Sequence, residues 1–210
     1  MYRQGAVYEN LTKANFIGEG EYNIPIIKPE NITAEKFIGF NYAKTSKEQS
    51  DTCVHFFVDD YQFARVWNNP DRYIKLLSEF KCVCTPDFST YVDYPKAVQI
   101  YNHFRKHWLG AYWQMCGIKV VPTISWSDKG SFEWCFDGEP KHGTVAVSSV
   151  GAQSNRNSKD LFLSGYDEMM KRLMPETVIF YGTIPKECYG NIVGVLLFTL
   201  KPKIKIGEKL

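Results

Sequence analysis

VHFFVDD, residues 54–60, runs from apolar and aromatic side chains straight into two adjacent carboxylates, Asp59 and Asp60. A segment of this kind reads as a buried strand that ends at a polar edge. The pattern recurs along the chain. Residues 37–42, 53–58, 81–85, 118–124, 143–149, 177–181 and 192–198 all read as short strands. Several lack alternation between polar and apolar residues, as strands covered on both faces of a parallel sheet do. No Asn-Gly or Asp-Gly pair joins two neighbouring strands as a tight hairpin.

Helical segments fill the gaps. Asn69-Pro70 reads as a cap and first turn for a helix running to about Glu79. Asp93 and Pro95 open the longest helix, which carries Ala97, Ile100, Tyr101, Phe104, Trp108, Ala111 and Tyr112 at spacings of three and four and stops at Gly117. Ser158 caps a further helix through Leu173, closed by Pro175. This alternation predicts an α/β fold with a mainly parallel sheet, a compact or incomplete (β/α) barrel. A full eight-unit barrel needs about 250 residues, and the chain has 210. Residues 1–36 are Gly- and Pro-containing with little periodicity and read as an N-terminal arm, with an extended piece at Ile24–Ile27. Residues 37–200 form the α/β domain. Residues 201–210 form a basic tail, either a lysine-blunted edge strand or a loose end.

Composition narrows the function classes. Hydrophobic residues make up 44% and charged residues 23%, an ordinary globular balance, and a net charge of +2 carries no overall signature of a nucleic-acid partner. None of the apolar runs reaches the ~18 residues of a membrane span. The six cysteines form no C-x-x-C pair and read as reduced and buried, as in a cytoplasmic protein. Neither a G-x-G-x-x-G nor a Walker pattern follows any strand, so there is no nicotinamide or flavin signature. G-x-S-x-G is absent as well, which disfavours acyl transfer.

If the strands are parallel, their exits share one rim. Asp59 and Asp60 follow the second strand, and Asp87 and Ser89 the third. Ser125, Trp126 and Ser127 follow the fourth, and Ser148 ends the fifth. Carboxylates gathered there suit Mg²⁺ or Mn²⁺, because hard cations take oxygen ligands. The expected site therefore has Asp59, Asp60 and Asp87 on the metal, with Asp59 and Asp87 catalytic. Arg105 contacts phosphate, Trp126 stacks on a base, and Ser125 and Ser148 bind substrate. Each aspartate has a plainer reading as a turn residue or helix cap. His103 and His107, four apart, have metal spacing, but Phe104 stands where H-E-x-x-H needs its glutamate, so a solvated or amphipathic face is the expected place for them rather than a zinc site.

Read together, VDDYQFARVW, TPDFSTYVDYPKAVQIYNHFRKHWLGAYWQMCGIKVVPTISWS, SFEWCFDG and TVAVSSVG resemble an uncharacterised domain-of-unknown-function family found mostly in bacteriophages, plasmids and Firmicutes genomes. The similarity covers roughly residues 50–200. It implies a mobile-element setting and supplies no catalytic residues. Three functions stand open: metal-assisted activity on a nucleotide or nucleic-acid phosphate; a non-enzymatic accessory protein that binds a ligand or host protein; or a glycosidase pairing Asp87 with Asp59 or Asp137.

Overall fold

A computed structural model describes residues 10–152 and 155–195 of the chain. A short antiparallel hairpin comes first, β1 (Gly18–Glu19) with β2 (Ile24–Pro25). The body follows with β3 (Lys36–Gly39), β4 (Thr52–His55), α1 (Ala64–Asn68), α2 (Asp71–Leu77), β5 (Cys82–Cys84), α3 (Lys96–Met115) and β6 (Val120–Val121). It ends with β7 (Thr144–Ser148), α4 (Arg156–Leu173), β8 (Thr177–Tyr181) and β9 (Ile192–Val195). Every one of the expected strands is present. β3-β4-β5-β6 form one parallel sheet and β7-β8-β9 a second.

The break between the sheets has a local cause. Pro122 follows β6 and has no N–H to give a ladder. Its carbonyl accepts from Ala146 N instead, Ala146 O accepts from Ile124 N, and a parallel bridge pairs Thr123 with Ala146. Through that bridge the strands follow one another in chain order without reversal, unlike a doubly wound sheet. One apolar cluster draws Phe37, Cys53, Cys84, Val121, Ala146, Ile179 and Val195 from successive strands. Rings from β4 and β8 also meet: Tyr181 lies 4.7 Å from His55 and 4.9 Å from Phe57, centroid to centroid. The sheet is thus curled about a shared core. Among the described residues β3 and β9 form no ladder with each other.

The outer faces are covered by helices. Trp108, Leu109 and Trp113 of α3 join Phe56, Val66 and Leu77 in one cluster, and Phe162, Tyr166 and Met169 of α4 pack on Val145, Val178 and Phe180 in another. Helix boundaries shift from the sequence reading. Asn155, not Ser158, caps α4, its side chain accepting from Ser158 N at 2.9 Å. Pro95 and Pro70 precede α3 and α2, and neither helix has a side-chain cap. Gly117 does end α3, at φ +83°, beyond the reach of most L side chains.

Residues 10–35 lie against the body. Ile24 and Ile27 are fully buried, Trp108 Nε1 donates to Ala14 O, and Thr144 N donates to Glu30 O. The six cysteines are unbridged; Cys53, Cys82, Cys84 and Cys135 are buried, while Cys116 is exposed. The basic tail falls outside the described residues. No helix among the described residues is long and apolar enough to cross a membrane.

Candidate functional site

Because β3 through β9 are parallel, their carboxyl ends face one rim, and the loops leaving β5, β6 and β7 enclose a cleft there. Its volume is about 350 Å³. Paired threonines hold two of these exits in register: Thr123 N donates to Thr85 Oγ1 at 2.8 Å, and Thr123 Oγ1 donates to Thr85 O at 2.7 Å. The wall carries Asp87, Ser89, Ser125, Trp126, Ser127 and Ser148, with Ser158, Leu161 and Phe162 from the start of α4. Four expected site residues, Asp87, Ser125, Trp126 and Ser148, thus share one cleft. A larger hollow of about 480 Å³ lies at the amino-terminal end of β6, beside Lys28, Glu30 and Met115. It has no comparable convergence of hydroxyl and carboxyl groups.

Asp87 is the charged member of the wall. Burial pushes its carboxyl up to about 6; Lys106 pulls it back and the charge on Asp60 adds to the rise. No hydrogen bond to this carboxylate forms among the described residues. Ser127 is 3% exposed, and its Oγ has no partner although its amide donates to Ser131 Oγ. Trp126 backs onto α4. Its ring lies 5.4 Å from Phe162, and Gly165 sits so close that a Cβ there would come within 2.2 Å of the indole.

The other expected site residues lie elsewhere. Asp60 accepts from both Ser89 N and Ser89 Oγ, so it clamps the β4 exit to the β5 exit. Asp59 is exposed, and its carbonyl accepts from Gln62 N. Asp59, Asp60 and Asp87 do not form one ligating group among the described residues. Arg105 does not line the cleft; its guanidinium lies 3.7 Å over the Phe88 ring and 5.4 Å from that of Tyr101. Stacking on Phe88 holds this cation away from the position where phosphate contact was expected.

A second polar assembly lies beneath α3. The helix turns Gln99, Asn102, His103, Lys106 and His107 inward, and each finds a partner from another segment. Gln99 donates to Tyr91 O and Tyr94 O, and Asn102 to Ser89 O. Lys106 Nζ donates to Thr123 O and to Glu139 Oε1, both at 2.8 Å. His103 Nε2 donates to Asp137 O. His107 Nδ1 faces Pro25 O and its Nε2 faces Glu139 Oε1, each at 2.9 Å. Burial alone would raise Glu139, but Lys106 and His107 outweigh it and hold the carboxyl below its ordinary range. His103 is driven well below the usual histidine range by burial and by the charges on His107 and Lys106.

His103, His107 and Glu139 bring their ligand atoms within 4.8 Å of one another, a buried cluster with the geometry to hold a divalent metal ion. Glu139 Oε2 is buried and unpartnered. Two imidazoles and one carboxylate suit Mn²⁺, Fe²⁺ or Zn²⁺ better than Mg²⁺, which prefers oxygen alone. Lys106 already places an ammonium on the same carboxylate oxygen, so an ion here shares Glu139 with it. The solvent-facing position expected for His103 and His107 is therefore corrected: they are 2% and 0% exposed.

Comparison with known proteins gives the chain a family. Residues 16–199 match the model described as Domain of unknown function (DUF4417). The chain belongs to this family. It is 34% identical over 174 residues to the Gene 1 protein of Mycobacterium phage L5, covering 82% of this chain and 76% of that one. It is 35% identical over 174 residues to the Gene 1 protein of Mycobacterium phage D29, covering 82% and 64%. The chain thus spans under two thirds of the D29 protein. No solved structure matches it. The expected resemblance to an uncharacterised family with phage members is borne out.

The DUF4417 match takes in both polar assemblies. Sequence reading reached the cleft through the strand exits but gave Ser127 no role, because nothing local distinguishes it from Ser125. It noted the His103/His107 spacing but could not reach Glu139, which arrives from a loop 32 residues beyond His107.

Proposed function

We propose that this phage- or mobile-element-type protein acts through the cleft above β5, β6 and β7, which binds a small ring-bearing, hydroxylated ligand of nucleotide or sugar type. The observation that carries this reading is Asp87: a carboxyl without a hydrogen-bond partner among the described residues, held near half ionisation at about pH 6, in a wall of serine hydroxyls beside Trp126. Such a group can accept a ligand donor or exchange a proton with it. The volume falls in the range of small-molecule sites. We read the curled sheet, with its strands in chain order, as an incomplete β/α barrel, the fold class that places ligands at this rim. The setting is the cytoplasm.

The test is a thermal-shift panel of nucleosides, nucleotides and methyl glycosides on wild type and Trp126→Ala, followed by turnover assays on whatever binds. A shift present in wild type and lost in the variant supports the reading. Ligand shifts that are equal in both would place binding elsewhere and sink it.

A second reading rests on the His103–His107–Glu139 cluster, where a divalent ion would support metal-assisted phosphate chemistry. Mn²⁺ and Zn²⁺ would raise the melting midpoint of wild type but not of His103→Ala. An unchanged wild-type midpoint with both ions rejects it.

A further inference from the structure

We infer that the cleft takes an uncharged nucleobase or nucleoside, whose ring lies along Trp126 and whose N–H edge donates to Asp87, rather than a phosphate group. This rests on the reading that the cleft is the site, and it names the ligand class.

The first ground is charge. Among the described residues the cleft wall contains no lysine, arginine or histidine, and Asp87 is its charged side chain. A phosphate placed there would meet a carboxylate in a partly desolvated wall that carries no cation of its own to contact it. The neighbouring cations are engaged elsewhere. Lys106 is held by Glu139 and Thr123 O, Arg105 lies over Phe88, and Lys159 pairs with Glu187 at 2.7 Å. At the start of α4, which flanks the cleft, the Ser158 amide is already taken by Asn155.

The second ground is the unmet hydrogen bonding. Asp87 offers acceptor oxygens that receive nothing from the described residues, and an ionised carboxylate can only accept. Its complement is a group rich in donors, such as a base edge with ring and exocyclic N–H. Ser125 and Ser148 supply hydroxyls for a sugar. Trp126 supplies the apolar surface, with its far side fixed against Gly165 and Phe162, so that it does not have to be ordered on binding.

Calorimetric titration with guanosine, adenosine, cytidine and uridine, and with their 5′-monophosphates, tests the inference on the full chain. At least one nucleoside is expected to bind, with its monophosphate no tighter. Trp126→Ala and Asp87→Asn are each expected to weaken it about tenfold or more. Trp126→Phe, which keeps a ring in the wall, is expected to retain most of the affinity, separating stacking from loss of fold. Binding should strengthen about tenfold from pH 5 to pH 7 as Asp87 ionises; Asp60 and Lys106 are the charged groups that bias that ionisation. A monophosphate that binds tighter than its nucleoside and is weakened by Trp126→Ala would overturn the ligand class while leaving the cleft as the site. Nucleoside binding that is indifferent to both Trp126→Ala and Asp87→Asn would overturn the cleft as well.

Discussion

The cleft and the buried knot under α3 are neighbours made of similar parts, and they spend their hydrogen bonds in opposite ways. In the knot, Lys106, His107 and Glu139 satisfy one another and tie down Thr123 and Pro25; in the cleft, the Asp87 carboxylate takes no hydrogen bond from the described residues. Glu139 carries one oxygen unpartnered among the described residues, but its other oxygen holds both Lys106 and His107. A saturated polar network fixes geometry, whereas an unsaturated one in a cleft leaves hydrogen-bonding capacity for something else. Lys106 links the two, since the Thr123 it holds is clasped to Thr85, two residues before Asp87. The difference can be tested by removing one group at a time.

Lys106→Met is the largest test. It removes the ammonium from an ion pair whose side chains are 2% and 0% exposed, leaving Glu139 with His107 alone. Breaking a buried pair from one side costs about 3–5 kcal/mol. A loss of about that size in the unfolding free energy from urea titration is expected. A loss below about 1 kcal/mol would mean that the knot is not what holds these segments together.

Asp87→Asn should move the other way. Its raised pKa means that the folded chain binds a proton more tightly than the unfolded one, so stability falls as pH rises from about 4 to about 6 and stays lower above that. Removing the charge should therefore stabilise the fold at neutral pH, on the order of 1–3 kcal/mol, with no gain near pH 4. His55 titrates in the same window with the opposite sign. Burial lowers it to about 4, so its contribution is complete above the ordinary histidine value and is lost as pH falls toward 4. Urea midpoints of the variant across pH 4–8 should thus show a rise with pH that Asp87 flattens in wild type. A variant less stable than wild type at pH 7.5 would show that the Asp87 carboxylate is supported by the fold.

Gly165→Ala probes the wall between the two regions' helices. The added Cβ would fall 2.2 Å from Trp126, so the indole has to move; overpacking of this kind costs about 1–3 kcal/mol. A shifted tryptophan fluorescence maximum should accompany the loss. An unchanged spectrum and midpoint would mean that Trp126 is not clamped and gives the cleft no fixed surface.

How far each region could be read from the sequence follows from the range of the interactions that build it. The sheet was legible because residues 53–58 or 144–148 carry their own signal, unbroken apolar runs, and parallel pairing then sends Asp87, Ser125, Trp126 and Ser148 to one rim. The inward face of α3 was legible only in part: Trp108 and Ala111 are buried as their spacing implies. Its spacing pointed to Ala97 and Tyr101 as buried, yet both are exposed, while Gln99, Asn102, His103 and Lys106 are buried. Those side chains tolerate burial because Ser89, Thr123, Asp137 and Glu139 come to meet them, and a helical period contains no record of partners from distant segments. Arg105 was misplaced for the same reason, since nothing local signals its stacking on Phe88.

Ser127→Ala makes the smallest change and tests the contrast most directly. If the hydroxyl were part of a saturated network like the knot, deleting it would strand a partner and cost about 1–3 kcal/mol. Ser127 Oγ has no such partner, and only its backbone amide is used, by Ser131. Removing an unsatisfied buried hydroxyl is then nearly neutral or slightly stabilising, within about 1 kcal/mol in urea unfolding. A clear destabilisation would mean that the hydroxyl is satisfied in the free protein. Because this hydroxyl lies beneath the cleft surface, neutral stability should come with unchanged ligand binding, in contrast to Asp87→Asn.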